Sequence, residues 1–539
     1  MSKLLKRFYS ILAFTGLYLP PFLCLFLPHA IPGISSRQTM IINLVLIAWT
    51  SFNNFWAVAC EGKQLDEIHI GDGLVLETGL KKESPQKRIA MYPKVPPKLL
   101  SKEPEGIILG KYKNQYVRVP LKDIYHYCIL GGTGVGKSSG VLLNSLLANF
   151  AGGKNGFTSF SIDIKGELHE VSSPMFNPDV IVVDPENRDS CGWDVYYRLH
   201  NHPSNDLILA AIEEISEGLI VSTNSKDFFF VENAKTALTG LLVYYYMRGE
   251  SFIDSVNRIL ESDTASLITE IIKDSEPSDL WYKYLAKFNG KTAESVQDIF
   301  TEMCTSLSVF SKDSVRFCFR DNYQKASPYS LLEGKSVFLS IKEDMLETYK
   351  AIMRLCTVQV FKELERRPKE QKKPILLIID EFARIGEIKG VFNALYTLRS
   401  RNVMVLLAFQ SLAQAEQIYG DDGARILMDN CRVKVILECN DPKTQKAISD
   451  WCGTYRDKKE TLNGGKNRHK SYTYEDKPIV DANDLIKLAG KGEEILVLGG
   501  IGYLRTIKCP YFRDEKLKAL ADQVKAHNNK LNEVKQNER

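Results

Sequence analysis

The sequence predicts an α/β domain interrupted by an all-α insertion and preceded by an N-terminal hairpin of two transmembrane helices. Three observations predict it. Short β-branched runs alternate with segments of helical apolar period on both sides of residues 202–332, where strand signals vanish. Two runs of about twenty mostly apolar residues, Phe8 to Leu27 and Met40 to Ala59, are each long enough for a bilayer's hydrocarbon core. A glycine-rich turn joins an apolar run ending at Leu130 to an amphipathic segment opening at Lys137 and Ser138.

The two apolar runs fall within residues 1–62. Lys3, Lys6, Arg7 and Lys63 mark the inner side, and the connection carries Pro28, Pro32, Gly33 and Arg37, which suits a tight outer hairpin. Pro20 and Pro21 kink the first span, and Asn53 and Asn54 in the second need a hydrogen-bonding neighbour. A cleaved signal peptide over residues 1–30 is the competing reading, although no Ala-x-Ala-like site is evident. On either reading everything after Cys60 is cytoplasmic. Residues 63–105 shift to lysine and proline and read as a membrane-proximal linker.

Residues 106–201 form the first part of the α/β domain, starting with a hairpin turned at Lys113-Asn114. Strand, glycine loop and helix start then follow over Tyr125 to Phe150. The spacing Gly131-x4-Gly136-Lys137-Ser138 is a full Walker A pattern, with Gly132, Thr133, Gly134, Val135 and Ser139 completing the loop. Glycines let backbone N–H groups converge on an anion, and the helix start adds partial positive charge. Lys137 can reach the β and γ phosphates of ATP, and Ser138 can ligate its Mg2+. Further strands over Phe157 to Ile164 and Asp179 to Asp184 end in carboxylates. Asp163 and Glu167 therefore either organise the phosphate site or cap a helix; spacing alone leaves both open.

Residues 202–332 read as an all-α domain, with helical spacing over Asn205 to Leu219, Val231 to Met247 and Ser295 to Phe310. The sheet resumes in residues 333–512. Pro374 to Ile379 is a buried apolar strand tipped by Asp380 and Glu381, the Walker B pattern. Asp380 would hold Mg2+ and Glu381 would orient or deprotonate the attacking water. Gln410 ends the next strand, where its amide can sense the γ-phosphate. Arg399 and Arg401 precede that strand and either face a neighbouring subunit's nucleotide or are solvated. The basic, tyrosine-bearing stretch from Arg456 to Lys477 reads as a solvated loop or as a nucleic-acid contact. Glu494 to Leu498 is the last predicted strand, and residues 513–539 a charged helical tail that frays.

Net charge is only +4 in 539 residues, so bulk charge implies no nucleic-acid partner. Eleven cysteines without a Cys-x-x-Cys pair argue against a disulfide framework or a zinc site.

Taken together, these residues make the chain resemble the type IV secretion coupling proteins of the TraG/TraD class, membrane ATPases of conjugation and effector export. The likeness rests on the paired N-terminal spans, His126 ahead of the Walker A loop, Asp163-x-Lys165-Gly166-Glu167, the helical insertion, Asp380-Glu381-Phe382, Gln410-Ser411, and Asn430-Cys431 with Asp441. It implies a RecA-like nucleotide-binding domain, an all-α domain facing the substrate, and a homo-hexamer with nucleotides at subunit interfaces. It further implies an inner-membrane location, partners that are a single-stranded DNA/relaxase complex or effector proteins together with secretion-channel components, Asp163 to Glu167 as an element of the nucleotide-binding site, and Arg399 acting on a neighbour's nucleotide. The outer loop is shorter than in many relatives, Phe229-Phe230 stands where tryptophan is frequent, and a long acidic C-terminal extension is absent. Rival readings are an FtsK/HerA-like DNA-translocating ATPase, a GTP-binding switch, against which the missing Asn-Lys-x-Asp motif speaks, and a nucleotide-dependent membrane scaffold.

Overall fold

The computed structural model describes residues 93–537 apart from 154–155, 165, 175–176, 222–227, 323, 370–372, 389 and 464–468. The predicted membrane spans and most of the linker lie outside the described residues; among the described residues no helix is long and apolar enough to cross a membrane.

A twelve-stranded sheet organises the chain. Its parallel centre runs, in spatial order, through β6 (Val180–Val183), β9 (Ser336–Ile341), β5 (Thr158–Ile164), β10 (Ile375–Ile379), β11 (Val403–Phe409), β4 (Tyr127–Leu130) and β12 (Val433–Ile436). An antiparallel wing continues past β12 through β15 (Glu493–Leu498), β16 (Gly502–Ile507), β2 (Ile107–Tyr112), β3 (Gln115–Val119) and β1 (Leu100–Ser101). The central strands are covered on both faces, which is why they read as unbroken aliphatic runs. On β10, Ile375, Leu377 and Ile379 enter one core, while Leu376 and Ile378 enter the other with Val141, Leu142 and Leu146 from the segment after the glycine loop. That alternation is the period of a strand serving two layers.

The insertion is helical where its apolar spacing predicts, over Asn205–Leu219, Phe228–Tyr246 and Ala293–Leu307, with further helices at Phe252–Glu261 and Thr264–Lys273. Ser204, Ser251 and Asp263 accept hydrogen bonds from first-turn N–H groups and fix three of these starts. The insertion is not a detached core: Leu238, Leu241 and Ile253 belong to the same apolar cluster as β10 and β11. At its neck β7 (Gly192–Trp193) pairs with β8 (Lys325–Ala326), two-residue strands too short to show a period.

Three expectations need correction. The stretch Arg456 to Lys477, read as a loop, is an antiparallel hairpin of β13 (Thr454–Asn463) and β14 (His469–Pro478). Its strands are held by polar pairs across the ladder, Lys477 with Asp457 at 2.6 Å and Arg456 with Asp476 at 3.3 Å, with the Lys458 ammonium 3.4 Å from the Tyr472 ring centre. Charged pairs hide the apolar alternation that signals a strand. Glu494 to Leu498 is not the last strand, because β16 follows it. The tail forms a helix, Glu515–Asn537, whose Leu517 and Ala521 are buried against Leu147 and Ala148 of the helix behind the glycine loop, so its first turns are docked rather than frayed.

Candidate active site

β4 delivers the chain to Gly131, whose N–H donates to the carbonyl of Phe409 on β11 at 3.1 Å. The loop then turns through Gly134 and Gly136 at φ +77° and +95°, backbone that L side chains rarely adopt. Lys137 folds back so that Nζ donates to the carbonyls of Gly131 at 3.0 Å and Gly132 at 3.1 Å, holding its ammonium at the mouth of the loop. Thr133 and Gly134 are exposed, and Val135, Ser138 and Ser139 are half-buried.

β10 arrives from 242 residues away in sequence, yet Ser138 Oγ donates to Asp380 Oδ2 at 3.0 Å. The Walker A and Walker B elements therefore share one pocket. Asp380 is buried, and burial lifts its pKa to about 6, with the Ser138 bond and the Lys137 charge opposing and Glu381 and Asp163 adding. Its Oδ1 is buried without a hydrogen-bond partner. An orphaned carboxylate oxygen beside a serine hydroxyl is an all-oxygen donor set that fits Mg2+, an ion that takes one or two carboxylates and completes its shell with phosphate and water.

Glu381 sits at φ +52°, ψ +53°, a left-handed conformation costing about 1 kcal/mol or more for a residue with a side chain. The next residue holds it there. Phe382 is fully buried, edge-on to Phe409 at 5.4 Å and stacked on Tyr419 at 6.0 Å. Gln410 directly follows β11, the strand between β4 and β10, so it stands between the glycine loop and the acid pair. Its N–H donates to Gln414 Oε1 at 2.9 Å.

Asp163 lies in the same region, but its oxygens are committed. Oδ1 accepts from the Leu168 N–H at 3.0 Å, and Oδ2 accepts from the His169 N–H at 2.9 Å and contacts His169 Nδ1 at 2.8 Å. Its contacts are those of the helix-cap alternative rather than of a nucleotide-binding group, and toward the acid pair it acts only by helping to raise the Asp380 pKa. Glu167 is exposed at the start of that helix, and Asp441 likewise caps the helix Pro442–Cys452.

Arg399 is exposed at the opposite end of β11, its Nε donating to the Ile124 carbonyl at 3.2 Å. Seven strand residues at about 3.3 Å each put it about 20 Å from its own phosphate pocket. Arg401 lies at the same end, half-buried. His126 rivets that end: Nδ1 accepts from the Val405 N–H at 3.1 Å and Nε2 donates to the Leu395 carbonyl at 2.9 Å. This is a neutral ring, and burial, with Arg399 adding to it, drops its pKa to about 4.

Two buried or half-buried charged groups near the site escaped sequence reasoning. Lys508, on the chain leaving β16, donates from Nζ to the Val135 carbonyl of the glycine loop at 3.2 Å. Glu494, fully buried on β15, accepts from Thr506 Oγ1 at 3.0 Å, and burial lifts its pKa to about 8. In the sequence Glu494 only opens a predicted strand; in the fold β16, paired with β15, brings Thr506 to it, and Gly110 of β2 lies against its carboxylate.

A family model described as the type IV secretion-system coupling protein DNA-binding domain matches residues 119–492. Among curated proteins, the chain is 23% identical over 380 residues to a type IV secretion system-coupling protein, VirD4, of Bartonella quintana (strain Toulouse), covering 67% of this chain and 59% of that protein. It is 23% identical over 422 residues to protein VirD4 of Agrobacterium fabrum, covering 73% and 60%. The chain thus spans about three fifths of the length of these relatives. Among solved structures, unbound bacterial conjugative coupling protein TrwBdeltaN70 superposes with TM-score 0.58 at 17% identity, covering 81% of this chain and 94% of that one. Plasmid coupling protein TrwB with the ATP analogue ADPNP gives the same score and identity, with 81% and 96% covered. At that identity the likeness is one of fold.

Proposed function

Since the chain belongs to the type IV secretion-system coupling protein family, whose domain matches residues 119–492, we propose that it is a membrane-anchored ATPase that uses MgATP hydrolysis to pass substrate to a secretion channel. The observation that carries this reading is the 3.0 Å bond from Ser138 to Asp380, with Asp380 Oδ1 left open beside it. Lys137 releases the Gly131 and Gly132 carbonyls to hold β and γ phosphate oxygens, and the loop N–H groups complete the cradle. Ser138 and Asp380 hold Mg2+, which offsets charge on the phosphates. Glu381 accepts the proton of the attacking water, and Gln410 orients that water against the γ-phosphate. Solved structures of plasmid coupling protein TrwB in complex with an ATP analogue and with ADP and Mg2+ support the choice of nucleotide and ion.

Arg399 is too far from its own pocket to act there, which supports a role at a neighbouring subunit's nucleotide in a homo-hexamer. The substrate is a single-stranded DNA/relaxase complex or an effector protein, and the two predicted N-terminal spans anchor the ATPase body at the inner membrane. The test is ATP turnover across protein concentration, with and without single-stranded DNA. Specific activity that climbs with concentration supports sites completed between subunits; a flat profile in a monomeric protein rules them out.

A further inference from the structure

A cavity of about 540 Å3 opens beside the acid pair. Its walls carry three cations: Lys350 and Arg354, one turn apart on the helix Lys350–Arg366, and Arg384 from the turn after Glu381. Glu347 and Glu387 also line it, Glu347 lying 3.5 Å from Lys350 and largely in solvent. Arg354 is the unsatisfied member. One Nη donates to the Leu219 carbonyl at 3.2 Å, Nε is buried without a partner, and burial penalises its charged form more than Glu302, Glu347 and Glu387 favour it. A guanidinium N–H held this way gains most from an anionic acceptor with two oxygens. The turn is shaped to let the cations gather: Gly386 has φ +83°, and a Cβ there would stand 2.9 Å from Lys350 Cε.

Two wall residues lead directly to the hydrolytic groups. Arg384 Nε is 3.5 Å from Glu381 Oε2, on a side chain half in solvent. Gln414, also in the wall, holds the Gln410 N–H at 2.9 Å. An anion in this cavity therefore competes with Glu381 for Arg384.

We propose that this cavity binds a backbone phosphodiester of single-stranded nucleic acid, and that the bound strand draws Arg384 away from Glu381, freeing that carboxylate to take the water proton. The inference rests on the ATPase reading above and adds the point at which cargo is sensed. Phosphodiester is favoured over an acidic peptide because guanidinium N–H groups and an ammonium together match phosphate oxygens, and because the matched family domain is described as DNA-binding.

The experiment measures binding of an oligo-dT by fluorescence anisotropy across salt, and ATP turnover with and without it, for the parent, Arg354→Gln, Lys350→Gln and Arg384→Gln. Lys350 is on the cavity rim, so Lys350→Gln reports even if Arg354→Gln fails to fold. Expected are roughly tenfold weaker oligo-dT binding for Lys350→Gln and Arg354→Gln with the salt slope reduced by about one, and a stimulated-to-basal ratio falling to about one. Arg384→Gln is expected to raise the DNA-free rate towards the stimulated one. Parent-like binding and stimulation in both cavity variants would overturn the site, an unchanged DNA-free rate in Arg384→Gln would overturn the latch, and equal stimulation by poly-glutamate would overturn the phosphodiester assignment. A parent without any turnover would instead remove the ATPase reading, while the binding arm would still decide the site.

Discussion

Replacing Arg399 by alanine separates a residue's role in its own fold from its role in a neighbour's catalysis. Within its own chain the exposed guanidinium makes one hydrogen bond, to the Ile124 carbonyl, and lies 5.9 Å from the Tyr125 ring centre. Losing both costs under about 1 kcal/mol of stability. At about 20 Å from its own pocket, its Coulomb effect there in water is about 0.2 kcal/mol before salt screening. Both values predict near-normal turnover if the residue acts only in cis. Contact with a neighbour's γ-phosphate predicts a loss of about a thousandfold or more. The assay is steady-state ATP hydrolysis by Arg399→Ala, by Lys137→Ala and by an equimolar mixture assembled together. Each variant alone is expected to be inactive. In a randomly mixed ring, about one junction in four joins an intact Lys137 to an intact Arg399, so about a quarter of the parent activity is expected to return. Near-parent activity in Arg399→Ala alone, or no recovery in rings shown to be mixed, would refute the reasoning.

Three further outcomes follow from buried groups. His126 has an ordinary pKa of 6.5 and a folded one of about 4. Above pH 6.5 both states are neutral; on acidification the unfolded chain takes the proton first, so about 3 kcal/mol of stability is lost between pH 6.5 and 4. Urea denaturation of His126→Asn should show a slope shallower than the parent's in that window. Glu494 has the opposite sign: its folded pKa of about 8 lies above 4.5, so its contribution is complete below pH 4.5 and lost as pH rises through 8, about 4 to 5 kcal/mol in all. Glu494→Gln should therefore outlast the parent at pH 8 to 9 in thermal unfolding. Leu517→Ala should cost about 2 to 4 kcal/mol in urea denaturation, because it empties the contact between the C-terminal helix and Leu147.

The parts legible in the sequence are those where one physical demand dominates a short stretch. β10 and β11 are buried on both faces, so every residue had to be apolar, and the change to Asp380-Glu381 or to Gln410 marks where the sheet ends. The glycine loop is legible because positive φ at Gly134 and Gly136 leaves little choice of residue. Where stabilisation comes from pairing across a ladder, the pattern is silent: the hairpin β13–β14 is tied by Lys477 to Asp457 and reads as a charged loop. Lys508 reaches the glycine loop, and Glu494 its Thr506 partner, only through the antiparallel wing, which no local period announces. Asp163 shows the limit of position arguments. A carboxylate at a strand end can serve a ligand or a helix start, and the left-handed turn at Gly166, with φ +76°, brings the Leu168 and His169 N–H groups onto it.

The central claim is that one pocket, built by Lys137 and Ser138 on one side and Asp380 and Glu381 on the other, hydrolyses ATP. Steady-state turnover of Lys137→Ala beside the parent, with circular dichroism and thermal unfolding of both, tests it most directly. The account predicts a rate at least about a hundredfold lower in a protein that still folds, since the substitution removes the charge proposed to bind phosphate, along with hydrogen bonds to the Gly131 and Gly132 carbonyls. A folded Lys137→Ala protein turning over ATP at the parent rate would contradict it.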